Sequence, residues 1–289
     1  MKDNFSVVTI VKNRTKQLSN LIANLEQAQL PPSELVVVWM APPSDKSLVQ
    51  SKKFCIKHKF ATSEELPLAQ ARNRGFFACE YERIVHIDVD CLCAPDLFLK
   101  LMQNWQDRTI FTSPIQPVVD MPEEISYTAL RARRDLHVPK SVSQRSQSKT
   151  FHSALFAIDR ASFNEVNGFD EQYHGFGIGD IDFATRCSAA GIDLHMLDTL
   201  TFNQFRANYQ YPVNHLLDIV TNANLFKSKW GYYPATHWLS AFMQAGLIDE
   251  NYESNGLCIK RMPTASEVST ALNVETSHTQ AANVARISA

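Results

Sequence analysis

Residues 35–41 read Leu35-Val36-Val37-Val38-Trp39-Met40-Ala41, the longest uninterrupted apolar run in the chain. β-Branched valines lose side-chain freedom in a helix and fit a pleated strand well. A strand with no polar alternation has no face to offer water, so it must be covered on both sides, as inner strands of a parallel sheet are. The run is far shorter than the roughly 18 apolar residues a membrane span requires. Around it, strand-like and helix-like periods alternate through the first hundred residues. Residues 7–11 are a strand candidate, and Leu18, Leu21, Ile22 and Leu25 fall on one helical face that Pro31-Pro32 is expected to end. A second helix is expected after Ser44, the third strand at residues 83–87, and a helix after Pro95 carrying Leu97, Leu101, Met102 and Trp105. Strands separated by helices predict an α/β fold on a mostly parallel, helix-flanked sheet.

With 289 residues, 45% of them hydrophobic, the chain can bury one large core or two modest ones. Its formal net charge of −2 argues against a general nucleic-acid or anionic-membrane binder, since such partners call for a basic surplus. Met1-Lys2-Asp3-Asn4 leads directly into the first strand without the charged, apolar and small-residue regions of a cleavable signal, so a cytosolic location is expected. The six cysteines show no paired spacing and are read as reduced core thiols. Cys91-Leu92-Cys93 is the one close pair, and it lacks the second pair of a zinc site. Residues 120–149 are read as a mobile loop, because 123–149 is rich in Ser and Gln and sets six Lys or Arg against three Asp or Glu. It is either a solvated connection or a lid over an anionic ligand. Order is expected again from Phe151, with helices over 213–229 and 236–245. Residues 263–289 lack aromatics and are about half Ser, Thr and Ala, the composition of a disordered tail.

The strongest local signal for chemistry is Ile84-Val85-His86-Ile87-Asp88-Val89-Asp90, an apolar strand whose end carries two carboxylates one residue apart. Ligands of open α/β sheets bind beyond the carboxyl ends of strands. Paired carboxylates there repel each other unless a cation joins them, and an oxygen-rich site suits Mg²⁺ or Mn²⁺ bridging to phosphate. The plain alternative is a solvated strand end. A second acidic pair, Asp180 and Asp182, follows Gly175-Phe176-Gly177-Ile178-Gly179. Glycines permit close backbone approach, and the carboxylates are general-base candidates or the N-terminal turn of a helix with Phe183 packed inward. A dinucleotide fingerprint is excluded, since Tyr173-His174 precedes the glycines instead of a hydrophobic strand and the third glycine is out of register.

Asn167-Gly168-Phe169-Asp170-Glu171, followed by Gly175-Phe176-Gly177-Ile178-Gly179-Asp180-Ile181-Asp182-Phe183, resembles the acceptor-side signature of family 2 glycosyltransferases and of the galactosyltransferase C-terminal region. Those families read Gly-Gly-Phe-Asp-Glu, then Gly-Trp-Gly-Gly-Glu-Asp-x-Asp-Leu. Asp88-Val89-Asp90 is similar to their metal-binding Asp-x-Asp, Ala71-Arg72-Asn73 to their donor-side Ala-Arg-Asn, and Val11-Lys12-Asn13-Arg14 to the first-strand exit that cradles the nucleoside. Asn222-Ala223-Asn224-Leu225-Phe226, Lys229-Trp230-Gly231 and Pro234 resemble the C-terminal part of bacterial members. The motifs run in family order over roughly residues 5–248.

The resemblance implies a Rossmann-like GT-A domain over 1–248. Residues 1–115 would form the nucleotide-sugar half, 150–212 the acceptor half and 213–248 a helical C-terminal extension. It further implies inverting transfer from a UDP-sugar to a hydroxyl of a carbohydrate or lipid-linked glycan, in bacterial-type polysaccharide synthesis. Asp88 and Asp90 would hold Mn²⁺ or Mg²⁺. Val11, Asn13, Arg14, Arg72, Asn73 and Asp88 would bind donor, and Asp180 would be the base. Phe176, Gly177, Asp182 and His174 would meet the acceptor, with Phe176 in place of the family tryptophan as a face to stack on sugar. Nucleic acid is not an expected partner, and peripheral association with the inner membrane face through a lipid-linked acceptor stays open.

Two departures from the pattern matter. Gly179 stands where the family has a glutamate before the base, which leaves the acceptor class open. Phe202-Asn203-Gln204-Phe205-Arg206 replaces His-Gln-x-His, so Asn203 takes the place of a metal-binding histidine and Arg206 that of the second. An amide oxygen coordinates a hard cation less tightly than imidazole binds Mn²⁺, so weaker or Mg²⁺-tolerant metal dependence is expected. His215 is read as a helix N-terminal residue with a satisfied hydrogen bond, and Trp230, Trp238 and Phe242 as core. The rival reading is a GT-A domain that binds nucleotide-sugar or glycan with little or no turnover. A nucleotidyltransferase would share the metal carboxylates but leaves the glycine-rich motif unexplained.

Overall fold

Strands β1 (Ser6–Val11) and β2 (Glu34–Trp39) are buried at every residue, as a continuous apolar pattern requires. The computed structural model describes residues 4–43, 48–63, 66–118, 125–133, 151–204, 208–209, 211–234 and 236–273. The chain divides into two units, Met1–Glu171 with Phe183–Phe205, and Gln172–Asp182 with Arg206–Ala289.

In the first unit, α1 (Thr15–Glu26) joins β1 to β2 and buries Leu18, Leu21, Ile22 and Leu25. It ends at Glu26, ahead of the prolines expected to stop it. The next element is a strand the sequence did not announce, β3 (Cys55–Phe60). Only Ile56 of its six residues is buried, so no apolar period marks it. The expected helix after Ser44 begins instead with α2 (Leu68–Phe77), residues 44–47 lying outside the described residues. A Cβ on Gly75 of α2 would come within 2.4 Å of Val8 Cγ1, so glycine lets this helix lie close on the sheet.

The strand into the carboxylates is therefore the fourth, β4 (Arg83–Ile87). There follow β5 (Cys91–Cys93), α3 (Leu97–Gln103), β6 (Thr109–Thr112), β7 (Ile115–Pro117), α4 (Tyr127–Arg131), β8 (Leu155–Asp159), α5 (Arg160–Glu165), α6 (Gly179–Ala189), β9 (Asp193–Met196) and β10 (Thr201–Asn203). The stretch expected to be a mobile loop thus contains α4, capped by Ser126 Oγ accepting from Ala129 N at 3.1 Å. Residues 119–124 and 134–150 lie outside the described residues.

The main sheet runs β3-β2-β1-β4-β8-β6-β9. β3, β2, β1 and β4 are parallel, β8 is antiparallel to β4 and β6, and β9 is parallel to β6. Val7, Val11, Val37 and Val85 pack with Leu18, Leu21, Leu97 and Leu101 on one face. Val8, Ile10, Val36 and Val38 pack with Phe76, Phe163 and Phe183 on the other. From β1 the chain steps outward to β2 and β3, then returns to β4 on the opposite side, so the strand order reverses between β1 and β4. A crevice at the carboxyl ends of such neighbours is where open α/β sheets bind ligands. A second sheet, β5-β10-β7, pairs Asn203 with Cys91.

The second unit holds β11 (Asn208–Tyr209), a 3-10 turn at Val213–His215, α7 (Leu216–Trp230), α8 (His237–Gln244), α9 (Tyr252–Asn255), α10 (Ala265–Ala271) and β12 (Leu272–Asn273). Its core gathers Tyr173, Ile178, Leu216, Ile219, Phe226, Leu239, Phe242 and Leu247, with Trp230 and Trp238 packed against it. The expected disordered tail therefore starts as structure. α10 opens with a reciprocal cap between Thr264 and Glu267, and β12 pairs with β11. Residues 274–289 lie outside the described residues. No helix among the described residues is long and apolar enough to cross a membrane. None of the six cysteines is in a disulfide, but Cys55 and Cys258 are exposed, so the expected all-core placement holds for four.

Candidate active site

In the first unit, β1 ends at Val11, Asn13 takes a left-handed backbone (φ 56°), and Arg14 occupies the N-cap of α1. Asparagine tolerates that conformation better than most residues because its short side chain bonds locally. Val11 is buried and its carbonyl accepts from Met40 N at 2.8 Å. Beyond β4, Asp88 N donates to Ala154 O at 2.7 Å and Cys91 N donates to Asp88 O at 2.8 Å, closing a tight turn over Asp88, Val89 and Asp90. Asp88 is half-buried, whereas Asp90 is only 2% exposed and lies 4.0 Å from Arg14 Nε.

Gln204, missed as a functional contributor, holds this turn from behind. Its backbone N donates to Asp90 O at 2.6 Å, its Nε2 reaches Val89 O at 3.4 Å, and its Oε1 accepts from Asn20 Nδ2 of α1 at 2.7 Å. One residue earlier, Asn203 Oδ1 is buried and accepts no hydrogen bond from the described residues. A buried carbonyl oxygen without a donor costs about 1–3 kcal/mol unless something positive meets it. Among the described residues, no three His, Cys, Asp or Glu are grouped to hold a metal. The side-chain oxygens of Asp88, Asp90 and Asn203 are of the chemical kind that hard divalent cations take. Arg206 lies outside the described residues.

Of Ala71-Arg72-Asn73, only Arg72 has a ligand-like placement. It is half-buried, donates to Ser153 Oγ at 3.1 Å and lies over the Phe169 ring at 5.0 Å. Asn73 bonds within the protein. It is buried, its Nδ2 donates to Phe169 O at 2.7 Å and Glu171 Oε1 at 2.9 Å, and its Oδ1 accepts from Phe169 N at 2.8 Å. The amide is a clamp on the 168–171 loop. Gly168 turns there with φ 61°, where a Cβ would meet Asn73 Oδ1 at 2.6 Å.

In the second unit, Gly175, Gly177 and Ile178 all have positive φ, at 66°, 88° and 70°. Asp180 follows, half-buried in the first turn of α6, with Oδ1 accepting from Ile181 N at 3.0 Å. Asp182 lies two residues further along α6. It is 1% exposed, and its Oδ1 accepts from both Tyr173 Oη at 3.1 Å and Trp230 Nε1 at 3.0 Å. Phe176 does not present a bare ring either. It stacks on His215 at 4.6 Å and meets Trp238 at 5.6 Å. His215 has the partner expected of it, Asp218 at 3.3 Å, and His174 is exposed. Gly179 fits its place sterically, since a Cβ there would stand 3.1 Å from Tyr173 Cβ.

The solved structures this chain is similar to share its sheet and flanking helices. One is Staphylococcus aureus TarS 1–349 in complex with UDP-GlcNAc, 13% identical with a TM-score of 0.57 over 83% of this chain and 73% of that one. Another is GalNAc-T7 with UDP, GalNAc and Mn²⁺, 15% identical with a TM-score of 0.52 over 70% of this chain. The chain spans 44% of the length of GalNAc-T7. These likenesses show the GT-A fold expected from the sequence. A search of curated proteins finds no match. The sequence model described as "Glycosyltransferase like family 2" matches residues 6–224, which include the β1 exit, the Asp88–Asp90 turn, Asn203 and the glycine loop. With that match covering most of its length, the chain belongs to the glycosyltransferase-like family 2.

Proposed function

We propose that the protein transfers a sugar from a UDP-sugar to an acceptor hydroxyl with inversion, using Mn²⁺ or Mg²⁺, in glycan or polysaccharide synthesis. The observation that carries the reading is the Asp88–Asp90 turn at the β1/β4 reversal, with Arg14 4.0 Å from Asp90 and Asn203 Oδ1 buried without a donor among the described residues. Support for the donor comes from the relatives, one crystallised with UDP-GlcNAc and another with UDP and Mn²⁺.

Asp88, Asp90 and Asn203 would hold the cation, which when bound supplies positive charge to a diphosphate that grows more negative as it leaves. Arg14 and Arg72 add charge-assisted bonds to the nucleotide. Asp180 takes the proton of the acceptor hydroxyl as its oxygen attacks the anomeric carbon from the face opposite the leaving group. The acceptor is a carbohydrate or lipid-linked glycan, the latter bringing the protein to the inner membrane face.

The test is calorimetric titration of UDP and a UDP-sugar panel with Mn²⁺, with Mg²⁺ and with chelator, on wild type and Asp90→Asn. Cation-dependent binding abolished by Asp90→Asn is expected. Absence of binding under every condition sinks the UDP-sugar reading. The absence of a carboxylate at Gly179 favours a second reading, a nucleotide-sugar or glycan-binding domain with little turnover. Asp180→Asn separates the two: in an enzyme it removes transfer by orders of magnitude while donor binding persists.

A further inference from the structure

Backbone strain in the glycine loop sits at Ile178, a β-branched residue at φ 70°. That conformation is a true outlier for such a side chain and costs about 1–3 kcal/mol, so it persists only where neighbours over-determine it. The neighbours that do so come from α7. Asp218 Oδ2 accepts from Phe176 N at 3.0 Å. One turn on, Asn222 Nδ2 donates to His174 O at 2.8 Å and Gly177 O at 3.0 Å. Gly175 is what lets the carboxylate lie against the loop, since a Cβ there would stand 2.4 Å from Asp218 Oδ2. His215, just before α7, bonds that same oxygen at 3.3 Å and stacks its ring on Phe176. After Ile178 the chain enters α6, where Ile178 O accepts from Asp182 N at 3.0 Å and so closes the turn that carries Asp180.

We propose that Asp218 and Asn222 are positioning residues for Asp180. They hold the 174–177 loop and force Ile178 into its left-handed conformation, which sets the direction in which the first turn of α6 leaves the loop. The inference rests on Asp180 being the base. Neither residue needs to touch substrate. Their spacing of four places both side chains on one face of α7.

The experiment compares wild type with Asp218→Ala, Asp218→Asn and Asn222→Asp, and with Asn224→Ala as control. Asn224 lies on the same helix, but its amide goes to Leu257 O and Tyr233 Oη, away from the loop. Readouts are hydrogen exchange of the 172–182 segment against that of α7, UDP affinity, and kcat separately from donor KM. Asp218→Ala and Asn222→Asp are expected to speed exchange in the loop, leave α7 protection and UDP affinity unchanged, and lower kcat by about 100-fold with donor KM within about twofold. Asp218→Asn, which keeps one acceptor oxygen, recovers most of the loss, and Asn224→Ala leaves loop exchange and kcat as in wild type. Unaltered loop exchange, or equal effects from Asn224→Ala, overturns the positioning role. So does normal kcat despite a loosened loop. If wild type transfers no sugar from any UDP-sugar, the base reading itself fails and the role toward Asp180 with it, while the exchange data separately decide whether α7 sets the loop.

Discussion

Replacing Asn73 with alanine discriminates a framework clamp from a ligand contact. The amide satisfies two backbone groups of the buried residue Phe169, its C=O at 2.7 Å and its N–H at 2.8 Å, and reaches exposed Glu171 at 2.9 Å. Truncation leaves both backbone groups unsatisfied at about 1–3 kcal/mol each, while the bond to exposed Glu171 adds little. A loss of about 2–6 kcal/mol is expected. With a urea m-value of about 2 kcal/mol per molar, the midpoint falls by about 1–3 M. It is read from exchange protection of β1 and β4. UDP affinity of the native protein, measured without urea, stays within about twofold of wild type, because a framework change leaves the binding groups in place. An unchanged midpoint with affinity lowered at least about tenfold, or about 1.4 kcal/mol, refutes the clamp and restores Asn73 as a donor ligand. A second arm uses Gly168→Ala, whose Cβ would meet Asn73 Oδ1 at 2.6 Å and Phe163 Cζ at 2.9 Å. Deleting the amide relieves one of these two contacts, so the double variant is less destabilised than the sum by about 0.5–3 kcal/mol. Strict additivity contradicts the assigned contact.

Other expectations follow from the same geometry. Glu267 is held at about 2, below its ordinary 4.5, by the Arg261 guanidinium first and then by the Thr264 N–H and hydroxyl. A depressed carboxylate contributes stability above pH 4.5 and loses it as pH falls toward 2, so acid should release α10 in that window. Exchange of α10 measured against pH shows this in wild type and not in Glu267→Gln. Burial pushes the Cys79 and Cys93 thiols up to about 12, while Cys55 and Cys258 are exposed. Alkylation of the native protein at about pH 8, read by mass spectrometry, should therefore label Cys55 and Cys258 and spare Cys79, Cys91, Cys93 and Cys187. Restoring the family glutamate with Gly179→Glu crowds Tyr173, whose Cβ would stand 3.1 Å from the new Cβ. The melting temperature should drop by the equivalent of about 1–3 kcal/mol. An unchanged melt shows that the site accommodates the side chain.

What the sequence made legible follows from which physical signals are one-dimensional. β2 was plain because burial on both faces leaves an unbroken apolar run, and α1 because one face repeats at 3.6 residues. β3 was invisible for the converse reason: at the edge of the sheet it buries only Ile56, and its Lys57, His58 and Lys59 look like a loop. α10 did carry a signal, Thr264 followed three residues later by Glu267, but its polar composition outweighed it.

Site residues were harder, because a motif fixes a residue type and not where its polar atoms go. Asparagine stands at 73, 203 and 222, and in sequence the first two look equally like ligands. In the fold, Asn73 has committed both ends of its amide to one loop and Asn222 has given its NH₂ group to carbonyls of another. Asn203 alone of the three keeps a buried oxygen with no donor. Burying an unsatisfied oxygen costs more than a made hydrogen bond returns, so Asn203 Oδ1 is a place where a bound cation or donor would be stabilising. Asp182 accepts from Tyr173 and Trp230 as Asn73 bonds its own loop, whereas Asn203 Oδ1, one residue across the strand pair from Asp90, is one of the buried oxygens that find no donor among the described residues.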